Sequence, residues 1–177
     1  WGNAIWFDDA AEKMGVDVMR WMYALQHIEH NLLFGYGPAD EVRKKLITLW
    51  NIYSFYATYA SVDGFDPNEH PLKKSSLTIL DKWILAKTHL LIEDTQKSMD
   101  LFRVDEFMRS FETFLEDLSN WYIRRNRRRF WKSEDDNDKN AAYATLYYVL
   151  THTIKLVGPV LPFVSETIYQ NLVRNSE

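Results

Sequence analysis

Apolar residues recur at steps of three and four along most of this chain, and glycines and prolines fall mainly between the periodic stretches. One stretch carries Val42, Leu46, Leu49, Tyr53 and Tyr56, which places a single apolar stripe along a helix. The chain has only 6 glycines and 5 prolines, so the pattern favours long helices joined by short turns. We predict an all-α protein built as an antiparallel helix bundle.

Capping residues and prolines mark the expected starts of the helices. The predicted starts are Asp8 or Asp9, Asp17, Pro38, Thr78 with Asp81 as a capping box, Asp105, the acidic run at 134–138, and Pro162. The corresponding ends are Gly15, a turn before the loop 35–38, about Tyr59, Met99, Trp131, Val157 and about Arg174. The longest irregular stretch, residues 63–76, is the predicted main linker.

The composition excludes several classes of protein and site. A hydrophobic content of 46% can fill a core, so the chain is not intrinsically disordered. The chain lacks cysteine, which excludes disulfides and cysteine-ligated zinc. No apolar run is long enough to span a bilayer. His27 and His30 are spaced like two metal ligands, but no third ligand accompanies them; we predict no metal site and no catalytic residue.

Five arginines lie within six residues of an otherwise acidic chain: Arg124, Arg125, Arg127, Arg128 and Arg129. The formal net charge is -4, so any contact with nucleic acid must be local. The planar guanidinium is well suited to phosphate. On a helical wheel at about 100° per residue, Arg125 and Arg129 continue the apolar stripe of their helix. Arg124, Arg128 and Lys132 lie on or beside that stripe, and Arg127 points elsewhere.

Two interpretations of this cluster remain open. In the first, the arginines contact the phosphates of a nucleic acid. In the second, they pair with the acidic residues that follow, or form the surface of a protein-interaction scaffold; those acidic residues are Glu134, Asp135, Asp136 and Asp138. Surface ion pairs of this kind contribute about 0–1 kcal/mol each.

Aromatic residues near the cluster either pack in the core or stack on bases. We predict that Trp121 and Tyr122 pack in the core, as aromatic residues at helical spacing usually do. The candidate platforms for unpaired bases are Trp131, Phe130 and Tyr169. For Asn120 and Asn126, reading of base edges and simple solvation both remain open.

Four ordered segments resemble one family. The segment SNWYIRRNRRRFW at 119–131 is similar to the signature helix of the anticodon-binding domain of isoleucyl-tRNA synthetases. The class I synthetases for valine and leucine share its Trp-Tyr core. Further similar segments are GPVLPFVSETIYQNL at 158–172, NLLFGYGPADEVR at 31–43 and GVDVMRW at 15–21. Together these segments span nearly the whole chain.

This resemblance implies a tRNA-binding piece of an enzyme that attaches isoleucine to its tRNA with ATP, and with Mg²⁺, in the cytoplasm. Residues 1–36 would be a connector and residues 37–177 the anticodon-binding bundle. Gly2 and Asn3 look like the residues after the family's signature loop, so we expect a non-catalytic fragment without a cofactor of its own. The expected tRNA contacts are Arg124, Arg125, Arg127, Arg128, Arg129, Lys132 and Trp131.

The expected partners are the isoleucine tRNA and the catalytic and C-terminal domains of the same polypeptide, with no membrane partner. Because the connector would pack against a missing domain, we predict four exposed aromatic residues: Trp6, Phe7, Trp21 and Phe34.

Overall fold

The computed structural model describes residues 4–27, 29–132 and 136–173. Its α-helices are α1 (Phe7–Met14), α2 (Val16–Leu25), α3 (Tyr36–Asp63), α4 (Ile79–Asp100), α5 (Val104–Glu116), α6 (Arg124–Lys132), α7 (Asp136–Val157) and α8 (Pro162–Leu172). A π-helical segment, Asp117–Ile123, joins α5 to α6, and a short 3₁₀ turn, Lys74–Ser76, precedes α4. No strand occurs within these ranges, which confirms the all-α prediction. None of the helices in them is both long enough and apolar enough to cross a membrane.

The bundle is formed by α3, α4, the long α5–α6 helix and α7, which pack around one core. Its centre holds large side chains that are fully buried, among them Leu49, Ile84, Phe111, Tyr143 and Leu146. The apolar stripe predicted on α3 faces this core, with Val42, Leu49, Tyr53 and Tyr56 buried and Leu46 partly buried against it.

The two short helices of the predicted connector pack directly on the bundle. Trp21 is 0% exposed; its ring lies 5.3 Å from that of Phe111, and its indole N–H donates to Glu112 at 3.0 Å. The prediction that Trp21 is exposed is therefore wrong. Trp6 and Phe7 are 78% and 65% exposed, as predicted.

Phe34 is half-buried and stacks on Tyr23 with ring centroids 5.6 Å apart. Thus the exposed apolar surface predicted for the connector is present on α1, whereas α2 contributes its tryptophan to the common core. The boundary between residues 1–36 and 37–177 stays a prediction.

The carboxylate of Asp17 caps α8 instead of its own helix. Asp17 lies in the first turn of α2, and its Oδ2 accepts a hydrogen bond from the backbone N–H of Val164 at 2.7 Å. A weaker bond from the Phe163 N–H reaches Oδ1 at 3.4 Å. Nearby, Arg20 donates to the carbonyl oxygens of Pro159 and Val160, both at 2.7 Å. These contacts attach α8 to α2, and the prediction that Asp17 caps α2 is wrong.

Other predicted helix starts differ from the structure by a few residues. Asp8 and Asp9 lie in the first turn of α1, and Asp105 in that of α5, where their charge favours the helix dipole without capping it. The α3 helix starts at Tyr36 and continues to Asp63, beyond Tyr59, before Gly64 ends it with φ 63°. The linker after it is confirmed as irregular, whereas Glu134, Asp135 and Arg174 lie outside the described residues.

The capping box at the start of α4 is confirmed. The Asp81 N–H donates to Thr78 Oγ1 at 3.3 Å, and the Thr78 N–H donates to Asp81 Oδ2 at 2.9 Å. Reciprocal bonds of this kind satisfy two backbone donors that the first turn of a helix otherwise leaves unpaired. They also fix the Asp81 carboxylate in the first turn of α4, at the end of the bundle where α6 passes.

Candidate nucleic-acid interface

The π-helical segment sets which side of the basic helix faces the core. Before it, Phe107, Phe111 and Phe114 are buried at steps of four and three; after Leu118, the buried residues recur strictly every four, at Tyr122, Asn126 and Phe130. A π turn bonds i to i+5 and takes more residues than an α turn. A four-residue step therefore stays on one face where an α-helix would rotate away.

Asp81 forms a fully buried junction between α4 and the basic helix. Its carboxylate is 0% exposed and accepts hydrogen bonds from the Tyr122 hydroxyl at 2.7 Å and from Arg129 Nη1 at 2.9 Å. Burial, followed by the charge of Asp81, raises the pKa of Tyr122 well above its usual value. The phenol thus stays protonated and acts as a donor.

Arg129 is held on its other side by Asp138 from α7. Its Nε lies 3.0 Å and its Nη2 2.7 Å from the Asp138 carboxylate, and only 14% of its side chain is exposed. Burial opposes the charge, but the bonds from Asp138 and Asp81 outweigh it and raise the pKa of Arg129 above its usual value. The guanidinium is thus a permanently charged link among three helices.

Asn126 completes this junction from inside the core. Its amide nitrogen donates to the Tyr122 carbonyl oxygen at 3.0 Å, and its amide oxygen accepts from Arg129 Nη1 at 3.3 Å. Both uses considered from the sequence, reading bases and facing solvent, are wrong for Asn126. Asn120, by contrast, is exposed.

The other four arginines of the cluster face solvent. Arg124, Arg125, Arg127 and Arg128 are exposed, as is Lys132, and none of the five forms a salt bridge with any residue in the described ranges. The wheel prediction that Arg125 follows the core stripe is wrong, because the π segment displaces that stripe. Pairing with the downstream acidic residues is found for Arg129 with Asp138; Glu134 and Asp135 lie outside the described residues.

Two tryptophans on this helix are half exposed and lie beside arginines. The Arg125 guanidinium is 4.6 Å from the centre of the Trp121 ring, and that of Arg127 is 5.9 Å from the Trp131 ring. Trp121 is 51% and Trp131 52% exposed. The prediction that Trp121 packs in the core is wrong, whereas that for Tyr122, 0% exposed, is confirmed.

The remaining aromatic candidates do not join this surface. Phe130 is 0% exposed and packs edge-on against Phe55 and Tyr143, with centroids 5.2 Å away in each case. It cannot present a face to a base, so that prediction is wrong. Tyr169 is half-buried on α8, with the Lys155 ammonium 5.6 Å above its ring.

A groove of about 370 Å³ runs between α3 and the basic helix, and we call it the α3 groove. The basic helix contributes amide, hydroxyl and guanidinium groups, and α3 contributes polar and apolar side chains. Its lining residues are Thr48, Asn51, Ile52, Phe55, Ser119, Asn120, Ile123, Arg124 and Arg127. Donors for phosphate and amides for base edges therefore line one concave surface.

No group of three His, Cys, Asp or Glu side chains in the described ranges is placed to hold a metal ion. His27 and His30 contact one another, with ring centroids 5.5 Å apart.

Comparison with known proteins identifies relatives of the whole chain. It is 42% identical over 176 residues to isoleucine–tRNA ligase of Clostridium novyi (strain NT), a match that covers 98% of this chain and 17% of that protein. Isoleucine–tRNA ligase of Dehalococcoides mccartyi (strain CBDB1) is 44% identical over 164 residues, 92% of this chain and 16% of that protein. The Thermus thermophilus ligase of the same name is 40% identical over 177 residues, 98% and 17% respectively.

The chain thus spans about one sixth of the length of these relatives. A family model described as the anticodon-binding domain of tRNA ligase matches residues 81–177, which include α4 through α8 and so the complete Asp81 junction and basic helix. The chain belongs to the family of anticodon-binding domains of tRNA ligases.

Proposed function

We propose that this chain is the tRNA-docking bundle of an isoleucine–tRNA ligase, and that its basic helix holds the phosphates of the isoleucine tRNA. The observation that carries the proposal is the set of four exposed arginines, Arg124, Arg125, Arg127 and Arg128, with no carboxylate partner in the described residues. Free guanidinium groups on one helix supply the positive surface that an RNA backbone requires.

Arg129 has a different role in this proposal. Its guanidinium is occupied by Asp81 and Asp138, so a phosphate would have to displace a carboxylate that is already within hydrogen-bonding distance. We therefore assign phosphate contact to the four exposed arginines and Lys132, and assign to Arg129 the fixing of the helix that carries them. Trp131, beside Arg127, remains a candidate contact on the same surface.

Attachment of isoleucine to tRNA with ATP belongs, in this proposal, to the longer polypeptide that contains the bundle. The exposed Trp6 and Phe7 on α1 are a suitable surface for the remainder of that polypeptide. The bundle would then orient the tRNA relative to the domain that carries out the chemistry.

The proposal is tested by titrating the chain with isoleucine tRNA and valine tRNA transcripts at low salt. We expect binding of both through phosphates and tighter binding of the isoleucine tRNA if the α3 groove reads bases. Arg128→Ala should weaken both complexes, whereas Arg109→Ala should weaken neither, because Arg109 lies on the same long helix but pairs with Asp105 at 3.1 Å. Equal losses in the two variants, or no binding by the unmodified chain, would contradict the proposal.

A further inference from the structure

Trp121 and Arg125 form an exposed stacked pair at the start of the basic helix. The guanidinium carbon lies 4.6 Å from the centre of the indole ring, and half of the tryptophan surface is open to solvent. We propose that this pair is a stacking platform for one unpaired base of the bound RNA. The inference rests on the proposed function and adds to it a specific site for a base.

The pair differs from an ordinary exposed apolar residue. A lone surface aromatic needs no explanation, but here the ring lies against an arginine that no described carboxylate neutralises. A cation over the face of tryptophan orders both planar groups. An exposed indole beside a free guanidinium offers stacking and positive charge together, the combination that proteins use for unpaired bases.

The π segment is what turns the tryptophan outward. It places Tyr122 in the core, fully buried against Asp81, and so leaves the preceding residue on the outer side of the helix. One position before it, Asn120 lines the α3 groove, as does Arg124, which immediately precedes Arg125. The platform therefore occupies the strip next to the groove, and a backbone held by Arg124 and Arg128 passes within reach of both.

The charges around the platform favour RNA over an acidic peptide as its occupant. Arg124, Arg125 and Arg128 give this strip a positive surface for phosphates, and the tryptophan gives it an open π face. A carboxylate-bearing peptide would use the charges but would have no planar group for the indole. The flat face is therefore the feature that a base, specifically, would use.

Two RNA probes separate stacking from phosphate contact. One is a hairpin with a loop of seven unpaired nucleotides, and the other is a fully paired duplex with the same number of phosphates. For the hairpin, Trp121→Ala should weaken binding about 5- to 100-fold, the loss expected for one stacked base. Binding of the duplex should be unchanged, and Trp121→Phe should restore most of the affinity because it keeps an aromatic face.

Two further variants serve as controls. Arg125→Lys keeps the charge but loses the planar face, so it should weaken hairpin binding severalfold with little effect on the duplex. Trp6→Ala removes a tryptophan that is 78% exposed on α1, away from the basic helix, and should affect neither probe. Circular dichroism confirms that each variant is folded.

The outcomes distinguish this inference from the proposed function. If the unmodified chain binds both probes and Trp121→Ala weakens neither, the platform is wrong while phosphate docking stands. If Trp121→Ala weakens hairpin and duplex equally, the tryptophan acts through the helix and not through a base, which also overturns the inference. If the unmodified chain binds neither probe, both the proposed function and the platform are contradicted.

Discussion

The carboxylate of Asp81 and the guanidinium of Arg129 are 2.9 Å apart, although 48 positions separate them in the chain. This ion pair joins the first turn of α4 to the basic helix, and its acidic partner is completely buried. Because Arg129 is directed inward, it fixes the rotation of α6 about its axis. Its four neighbouring arginines are then presented to solvent, which links the packing of the core to the charge of the surface.

Removal of Asp81 should strongly destabilise the protein. Asp81→Ala leaves Tyr122 without its acceptor, removes the capping box and deprives a mostly buried guanidinium of one of its two carboxylates. Loss of one partner of a buried pair costs about 3–5 kcal/mol, and because Asp138 remains we expect about 3 kcal/mol, measured by urea unfolding.

The matched control for this experiment is Asp40→Ala. Asp40 pairs with Arg43 at 2.8 Å, but its side chain is 60% exposed, so the loss should be below about 1 kcal/mol. Similar losses for the two variants would show that the Asp81 junction does not stabilise the fold.

The π segment makes a prediction about two adjacent residues. Tyr122→Ala should cost about 3–5 kcal/mol because it opens a cavity in the core, whereas Trp121→Ala should change the free energy of unfolding by only about 0.5 kcal/mol. The comparison is sharp because tryptophan is the larger residue. A greater loss for Trp121→Ala would mean that the helix continues as an α-helix with the tryptophan inside.

Local patterns in the sequence are sufficient to predict most of the fold. The apolar stripe on α3 and the Thr78–Asp81 capping box are both predictable, since each depends on residues within a few positions of one another. The core position of Tyr122 is predictable in the same way. Trp121, Arg125 and Phe130 are misplaced by the sequence pattern because a wheel of constant pitch cannot represent a π turn.

Partners distant in the sequence cannot be chosen from local patterns. Asp17 has the composition of a cap for its own helix, yet it bonds the N–H of Val164, 147 positions later. For Arg129, the sequence indicates the downstream aspartate as a partner but not Asp81, because the capping role of Asp81 already explains that residue. Only the packing of α4 against the long helix brings the two together.

The stability of the bundle should depend on Asp63 in a pH-dependent way. Its carboxylate, at the end of α3, lies 2.6 Å from the Lys139 ammonium and accepts a hydrogen bond from the Tyr143 hydroxyl. Burial acts to raise the pKa of Asp63, but the bonds from Lys139 and Tyr143 outweigh it and hold the pKa below its usual value. The ionised form is thus favoured by folding.

A carboxyl group with a lowered pKa stabilises the folded state above its unfolded pKa of about 3.9, and this contribution is lost as the pH falls through the folded pKa. Asp63→Asn should therefore destabilise the protein at pH 7 and progressively less below about pH 4. Urea unfolding across this range measures the difference, and Lys139→Met should show the same trend. Differences that stay constant down to about pH 3 would contradict this account.

The central claim is that the exposed arginines contact phosphates, and the salt dependence of tRNA binding tests it most directly. Each lost phosphate contact lowers the slope of log K against log salt by about 0.7–0.9. Arg124→Ala/Arg128→Ala should lower it by about 1.4–1.8. The control Arg103→Ala/Arg109→Ala removes the same charge from arginines paired with Glu106 and Asp105, and should leave the slope unchanged. Equal slopes for the unmodified chain and both double variants would contradict the claim.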